Sequence, residues 1–311
     1  MAAVAAPAPP AGRRPLLERT NRHAGALLAV HTALLVAAGA WVWLAIGSWW
    51  IVPAILVDGI VMAHLFALLH ECSHRTAFRS RRANQVVAWL CGVIVVLPPR
   101  YFRLEHTAHH RYTQQADLDP ELIEVPADRR RYALFVLGGP YWWWAIRTLL
   151  AHAAGRLLAF ERSFVPPNER RRIVREARVF VAVYVLAVSI SIALGTTALV
   201  WLWLLPRLVG EPTMRVARLA EHAGRPRTAD VSENTRSLRV PLPLRLLAWN
   251  MPFHAEHHAA PSVPFHALPT MHAHAAPTAS TGGYLAAHAD IWRQMRARRM
   301  AVENRPGSVA E

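Results

Sequence analysis

Apolar residues run almost unbroken from position 24 to position 69 and give way only at Gly47-Ser48. As helix, about 46 residues reach about 69 Å, against about 30 Å of bilayer hydrocarbon. The run therefore predicts two crossings joined at Gly47-Ser48, a helical hairpin. A second long apolar stretch, 179–210, carries Gly195-Thr196-Thr197 near its middle. Between them, 86–98 is apolar but too short to span and is read as interfacial or re-entrant. Residues 132–150 are long enough to cross, yet hold Gly138-Gly139-Pro140 and then Tyr141-Trp142-Trp143-Trp144.

Charge arbitrates between two topologies. Either 132–150 and 179–210 each cross once, or the first lies in the interface and the second is a hairpin. The intervening segment carries Arg156, Arg162, Arg170, Arg171, Arg172, Arg175 and Arg178, and the first topology would export them all. The positive-inside rule favours the second, and the Trp142–Trp144 run suits an interfacial belt. Its return arm must then continue past Pro206 and Arg207 towards Val216 to be long enough. Arg13, Arg14, Arg19 and Arg22 precede the first hairpin and Arg75, Arg79, Arg81 and Arg82 follow it, which puts both of its ends in the cytoplasm. The expected fold is all-α and integral to the membrane: two transmembrane hairpins, four spans, under a cytoplasmic histidine-rich helical cap. The expected organisation is a basic N-terminal segment over 1–23, its Ala/Pro-rich start disordered, a membrane domain over 24–290 and a basic tail over 291–311. The first apolar run is too long for a cleaved signal peptide and is read as a retained anchor.

Composition sharpens this. The chain of 311 residues is 53% hydrophobic and 18% charged, with a formal net charge of +15 supplied without a single lysine. Arginines that flank apolar spans point to a membrane surface rather than to nucleic acid. Two cysteines with no CxxC spacing, Cys72 and Cys91, exclude a disulfide framework, a zinc ribbon and a built-in iron–sulfur cluster.

Of the 17 histidines, eight fall into three boxes: His70-x3-His74, His106-x2-His109-His110 and His254-x2-His257-His258. Spacings of three and four place imidazoles on one helical face, so each box can present two or three ring nitrogens to one point. At this histidine content two HxxHH motifs arise by chance in about one such sequence in a thousand. Eight histidines exceed the capacity of one ion and fit two; imidazole suits iron, zinc, copper or nickel. Glu71, Glu105, Glu221 and Glu256 adjoin histidines, and a carboxylate that accepts the second ring N–H fixes tautomer and orientation. A solvated polar face explains each of them as well.

These three boxes, in this order and rough separation, resemble the membrane fatty acid desaturase superfamily. The stretches Tyr101-Phe-Arg-Leu-Glu-His106-Thr-Ala-His-His110-Arg-Tyr-Thr-Gln and Trp249-Asn-Met-Pro-Phe-His254-Ala-Glu-His-His258 resemble its bacterial members. The resemblance covers roughly 24–290. It implies two iron ions, O2 as co-substrate, two membrane hairpins, a cytoplasmic cap and, in a bacterium, the inner membrane with both termini and the active site cytoplasmic. It also implies a further ligand before the last box, at His222. Asn250, four residues before His254, would share its helical face and could hold a metal-bound water, or cap the helix. No catalytic residue is expected beyond the metal ligands. The other histidines (23, 31, 64, 152, 266, 272, 274, 288) are read as structural or surface residues. His64 is watched because it shares the second membrane helix with Asp58.

The implied reaction puts a double bond into the acyl chain of a lipid or acyl thioester. Removing hydrogen from an unactivated chain needs a metal–oxygen oxidant. No haem, ferredoxin or Rossmann motif is present, so a separate electron donor, ferredoxin-like or cytochrome b5-like, is expected on the arginine-rich face. Hydroxylases and carotenoid ketolases use the same boxes. A histidine-rich metal transporter would want ligands near the midplane on broken helices, whereas these lie beyond helix ends.

Overall fold

A computed structural model describes residues 16–274 and 282–303, and among them there is helix, turn and loop but no strand. The Ala/Pro-rich start, with Arg13 and Arg14, and the end of the expected tail from 304 lie outside the described residues.

The first apolar run is a hairpin. Helix α1 (Asn21–Ala45) begins where the Thr20 hydroxyl accepts the Arg22 N–H at 3.1 Å. The chain turns at Gly47-Ser48 and returns as α2 (Ile51–Ala63), which α3 (Leu65–His74) continues past a break at His64. Together α2 and α3 are long and apolar enough to cross, as is α1. His64 caps this break on its own helix, its Nδ1–H donating to the Ile60 carbonyl at 2.7 Å. Asp58 is buried without a partner, so the two do not pair. Arg75, left-handed at φ 62°, ends α3 immediately after His74.

Helix α4 (Arg81–Val95) holds the short apolar run and turns by 96° into α5 (Pro99–Tyr112). Pro98-Pro99 cannot continue the first helix, and Pro99 suits the first turn of the second. The last carbonyls of α4 would be left bare in an apolar layer. Four side chains meet them: the Tyr184 hydroxyl donates to Val93 at 2.9 Å, Trp203 Nε1 to Ile94 at 2.9 Å, and Arg207 at 3.2 Å and the Tyr141 hydroxyl at 3.3 Å to Val95. A pair bent in this way is a broken span or a re-entrant loop.

Residues 132–150 fall into two short helices, α6 (Arg129–Val136) and α7 (Gly139–Ala153), parted at Gly138, whose φ is +79°. With 8 and 15 residues they fall short of the ~20 that a crossing takes. The second long run is again a hairpin. Its first arm, α8 (Arg170–Ala193), belongs to a segment that qualifies as a span. Its return passes through a π-helical turn, Val200–Leu204, into α9 (Leu205–His222). This arm runs on past Pro206 as the length argument requires. It differs from expectation in composition: Arg207, Glu211 and Arg215 lie along it, and only three described helical segments pass as spans by length and composition, or four if α4–α5 counts as one. The charges are tolerated because they are buried against one another, Arg207 and Arg215 each 2.5 Å from a Glu211 oxygen.

Helices α2 and α9 cross with their backbones in contact at Gly59 and Gly210; a Cβ on Gly59 would lie 2.5 Å from the Pro206 carbonyl. Small residues at such a crossing let two membrane helices approach closely. The apolar faces of α1 and α8 remain exposed, Leu44 at 82% and Ile192 at 74%, as a lipid-facing surface would be.

Beyond α9 the chain forms short helices α10 (Val231–Asn234), α11 (Leu242–Leu247), α12 (His254–Ala259) and α13 (Leu268–His274), then α14 (Tyr284–Glu303). The boundary expected after residue 290 falls inside α14, because Ile291 and Met295 pack with Leu219, Ala223 and Ile123 in one apolar cluster.

Candidate metal centre

The three boxes sit at helix ends. His70 and His74 are on the last turn of α3, His106, His109 and His110 on the C-terminal half of α5, and His254, His257 and His258 on α12, while His222 closes α9. Helix spacing puts the rings of each box on one face, and the meeting of four helices brings the faces together.

The nine rings divide into two groups. In the first, ligand atoms of His70, His74, His106, His110 and His257 all lie within 4.8 Å of one another. In the second, His109, His222 and His258 meet the same limit, as do Glu221, His222 and His254. Neighbouring Nε2 atoms converge: His106 and His110 at 3.0 Å, His110 and His257 at 3.1 Å, His222 and His254 at 2.7 Å, His254 and His258 at 3.1 Å. The groups abut, with the His110 and His258 rings stacked 4.2 Å apart.

This arrangement fits bound cations. Burial first, and neighbouring histidines after it, push the His257 and His258 imidazoles well below their ordinary range, so the rings are neutral and offer lone pairs. Both ring nitrogens of His70, Nε2 of His74 and Nε2 of His109 are buried with no hydrogen-bond partner. Bare buried nitrogens are costly, and metal ions at the two foci would take their lone pairs.

The outer nitrogens are tied down from the loop behind the second box. His106 Nδ1–H donates to Glu121 and His109 Nδ1–H to Asp119, each at 2.8 Å. Thr113 Oγ1 stands 3.1 Å from His258 Nδ1. Asp119 in turn accepts the backbone N–H of Gln114 and of Glu121, both at 2.9 Å, and the Gln114 side chain donates to the His222 carbonyl at 2.7 Å. Burial alone would push the Glu121 carboxyl up, but His106, His109 and Arg218 together hold it below the ordinary carboxylate range. Sequence reasoning missed Asp119, Glu121 and Thr113. The acidic run Asp117-Leu-Asp119-Pro-Glu121, directly after the box, was the available signal.

The carboxylates singled out beforehand are placed differently from one another. Glu221 stands beside His222 and His254 as a possible ligand itself, 3.8 Å from His254 Nε2. Glu71 Oε1 is 4.0 Å from His257 Nδ1, and its other oxygen accepts from Thr76 at 2.9 Å. Glu105 accepts the Tyr101 hydroxyl at 3.2 Å and bonds no box histidine. Glu256 bonds the Ser237 hydroxyl and, at 2.6 Å, His272 Nδ1, instead of a ligand ring. His272, read as a surface residue, is thereby joined to the third box. Asn250 lies in the turn before α12, left-handed at φ 58°, rather than on the helix with His254. Its amide donates to the Phe265 carbonyl at 3.0 Å, and its Oδ1 is buried without a partner. His31 links α1 to that turn, accepting from Trp249 Nε1 at 3.3 Å and donating to the Val61 carbonyl at 2.9 Å.

A pocket of about 230 Å³ lies against the first group. Phe66, Phe102, Leu122, Ile123, Phe135 and Trp144 supply its apolar wall. Phe102 stacks on the His106 ring at 5.0 Å between centroids, and Glu121 joins the pocket to that ring.

The chain is similar to curated proteins from several organisms. It is 27% identical over 197 residues to an sn-1 oleoyl-lipid 12-desaturase of Picosynechococcus, covering 59% of this chain and 54% of that one. It is 24% identical over 237 residues to the protein of the same description in Synechocystis, covering 70% and 66%. A sphingolipid delta(4)-desaturase of Drosophila melanogaster is 34% identical over 84 residues, 25% of this chain and 26% of the other. The chain thus spans between about half and two thirds of the length of the cyanobacterial relatives. The family model described as fatty acid desaturase matches residues 47–288, and so takes in the three boxes, His222, the return arm of the first hairpin and the whole of the second. With most of its length matched, the chain belongs to the fatty acid desaturase family.

Proposed function

We propose that this protein is an O2-dependent membrane desaturase that puts a double bond into the fatty acyl chain of a lipid or acyl thioester. The observation that carries the reading is the pair of converging imidazole groups beside a pocket with an apolar wall, which Glu105, Glu121, Arg215 and Arg218 also line. In this reading His70, His74, His106, His110 and His257 hold one iron, and His109, His222, His254 and His258, with Glu221 in reach, hold the other. Two irons there would supply the oxidising power that no side chain has, enough to remove hydrogen from an unactivated methylene. The rest is done by the chain. Asp119 and Glu121 keep Nδ1 protonated on their histidines, so that Nε2 carries the inward lone pair. Phe66, Phe102 and Trp144 offer an acyl chain an apolar wall and keep water from the reacting end. The balance per double bond is one O2, two electrons and two protons consumed, with two hydrogens lost from the chain and two waters formed. The electrons come from a separate carrier. Four crossings with both termini and the metal centre on the cytoplasmic side of a bacterial inner membrane complete the proposal.

The test is expression in a host of defined lipid composition, with acyl chains analysed by mass spectrometry. Chains two hydrogens lighter, absent with a His106→Ala variant, are expected. Chains one oxygen heavier would make the protein a hydroxylase instead. Unchanged lipids from iron-loaded protein supplied with reductant and O2 would overturn the reading.

A further inference from the structure

Four charged side chains line the pocket beside the first histidine group: Glu105, Glu121, Arg215 and Arg218. Three of them are taken up by the protein itself. Arg218 Nη2 donates to Glu121 at 2.6 Å, Glu121 accepts His106 Nδ1–H at 2.8 Å, and Glu105 accepts the Tyr101 hydroxyl at 3.2 Å. Arg215 differs. Its Nε lies 2.5 Å from Glu211 Oε1, but Arg207 Nη1 lies 2.5 Å from Oε2 of the same carboxylate. One negative charge therefore serves two guanidinium groups, and among the described residues no other carboxylate lies within ion-pair distance of either. The Glu211 side chain is 1% exposed, that of Arg207 4% and that of Arg215 13%, so the triad keeps one net positive charge largely out of water.

A buried charge short of a counterion is costly. The Tyr141 ring, its centroid 4.2 Å from the Arg215 guanidinium carbon, offsets part of that cost by a cation–π contact and fixes the plane of the guanidinium. Only Nε of Arg215 is sealed from the pocket, and among the described residues no hydrogen bond reaches its two terminal nitrogens. Both pocket carboxylates stand at the histidine end, Glu121 bonded to His106 and Glu105 preceding it on α5. Arg215 stands seven residues before His222 on α9, about 10 Å of helix. The same pocket thus offers a guanidinium with free N–H groups and an apolar wall that reaches the His106 ring through Phe102. We propose that Arg215 selects the substrate by its head: its terminal N–H groups bind an oxyanion, the carboxylate of a free fatty acid or the phosphate of a lipid, while the acyl chain lies along Phe66 and Phe102. The proposal rests on the desaturase reading above. A guanidinium fork matches either oxyanion with two parallel hydrogen bonds. The guest's charge supplies the second anion that the triad lacks, and a neutral ester supplies none.

The experiment measures equilibrium binding of three probes that share one chain, oleate, oleyl phosphate and methyl oleate. The iron-loaded, full-length protein is held in zwitterionic lipid discs without reductant, at a pH that keeps the carboxylate ionised, and binding to empty discs is subtracted. At least one oxyanion should bind at least about tenfold more tightly than the ester. Tighter oleate identifies a free fatty acid as the guest, and tighter oleyl phosphate a lipid head. Arg215→Gln should bring the oxyanions to the affinity of the ester, with ester binding and iron content unchanged, and Arg215→Lys should keep part of the preference. A control on the basic start of α8, Arg170→Gln/Arg171→Gln, should bind all three as wild type does. Equal binding of the three probes by the wild type overturns the proposal even if the Arg215 variants fail to fold. A preference that survives Arg215→Gln overturns it too, as does an equal loss in the control. Oxyanion preference in a protein that forms no unsaturated product with iron, reductant and O2 would sink the desaturase reading and leave the head site standing.

Discussion

The His109 ring donates to the Asp119 carboxylate at 2.8 Å, and both side chains are 1% exposed. Ten residues separate them in sequence, and the loop between them folds back so that Asp119 reaches the ring. His106 and Glu121 repeat the relationship across 15 residues. Replacing the acceptor keeps the ring in place but removes the charge that fixes its tautomer. Asp119→Asn and Glu121→Gln should each weaken metal retention about 10- to 100-fold. Chelator competition measures this. Glu105→Gln is the comparison, because Glu105 adjoins His106 yet bonds Tyr101; an equal loss there would mean that bulk negative charge, not ring orientation, matters.

Metal stoichiometry tests the two groups. Purified protein should approach two irons per chain. His74→Ala touches only the five-histidine group and His222→Ala only the other. Each should reduce the content to about one, and the pair should empty the protein. If either single variant lost both ions, the centre would be one cooperative unit. If His222→Ala kept both, the ligand assigned at the end of α9 would be wrong.

His272 and His274 should separate. His272 Nδ1–H bonds Glu256 at 2.6 Å, whereas His274 bonds only the Thr270 carbonyl of its own helix, at 2.7 Å. His272→Ala should cost about 1 kcal/mol of stability and loosen the third box, whereas His274→Ala should be silent. Thermal melts in detergent, with iron content, decide this. Identical melts for the two variants would remove His272 from the network.

Arg207→Met should be the most damaging surface-remote substitution. It leaves one face of the Glu211 carboxylate unpaired in a buried setting and leaves the Val95 carbonyl with the Tyr141 hydroxyl as its one side-chain donor. The expected cost is about 3–5 kcal/mol. The melting temperature measures it, and Arg207→Lys should recover part. A near-neutral Arg207→Met would show that the α4 carbonyls find another donor.

Orientation is accessible by cysteine tags at positions 115, 165 and 297. All three should react from the cytoplasmic side only. Reaction at 165 from the opposite side would make α7 a crossing helix.

Much of this was legible in advance because it is local. Spacings of three and four place His70 with His74 and His254 with His257 and His258, and apolar run length predicts both hairpins. What escaped depends on where helices meet. No spacing divides His109 from His110, yet adjacent residues on a helix point about 100° apart and serve different groups. Looking for carboxylates beside each histidine favoured Glu105 and Glu256, whereas the partners came from a loop that returns to the box. The i,i+4 pairing of Arg207 and Arg215 with Glu211 is local to α9 and open to the same spacing argument, whereas the bond from Arg207 to the Val95 carbonyl of α4 is tertiary.

The division of the histidines also sets an order of assembly. His257 completes the first group, and His254 and His258 complete the second, so both take their final members from α12, near the end of the described chain. A nascent chain halted after α9 has both hairpins and has already made His70, His74, His106, His109, His110 and His222. On the proposed two-iron reading, such a chain would hold the sequence of both hairpins while neither histidine group was complete.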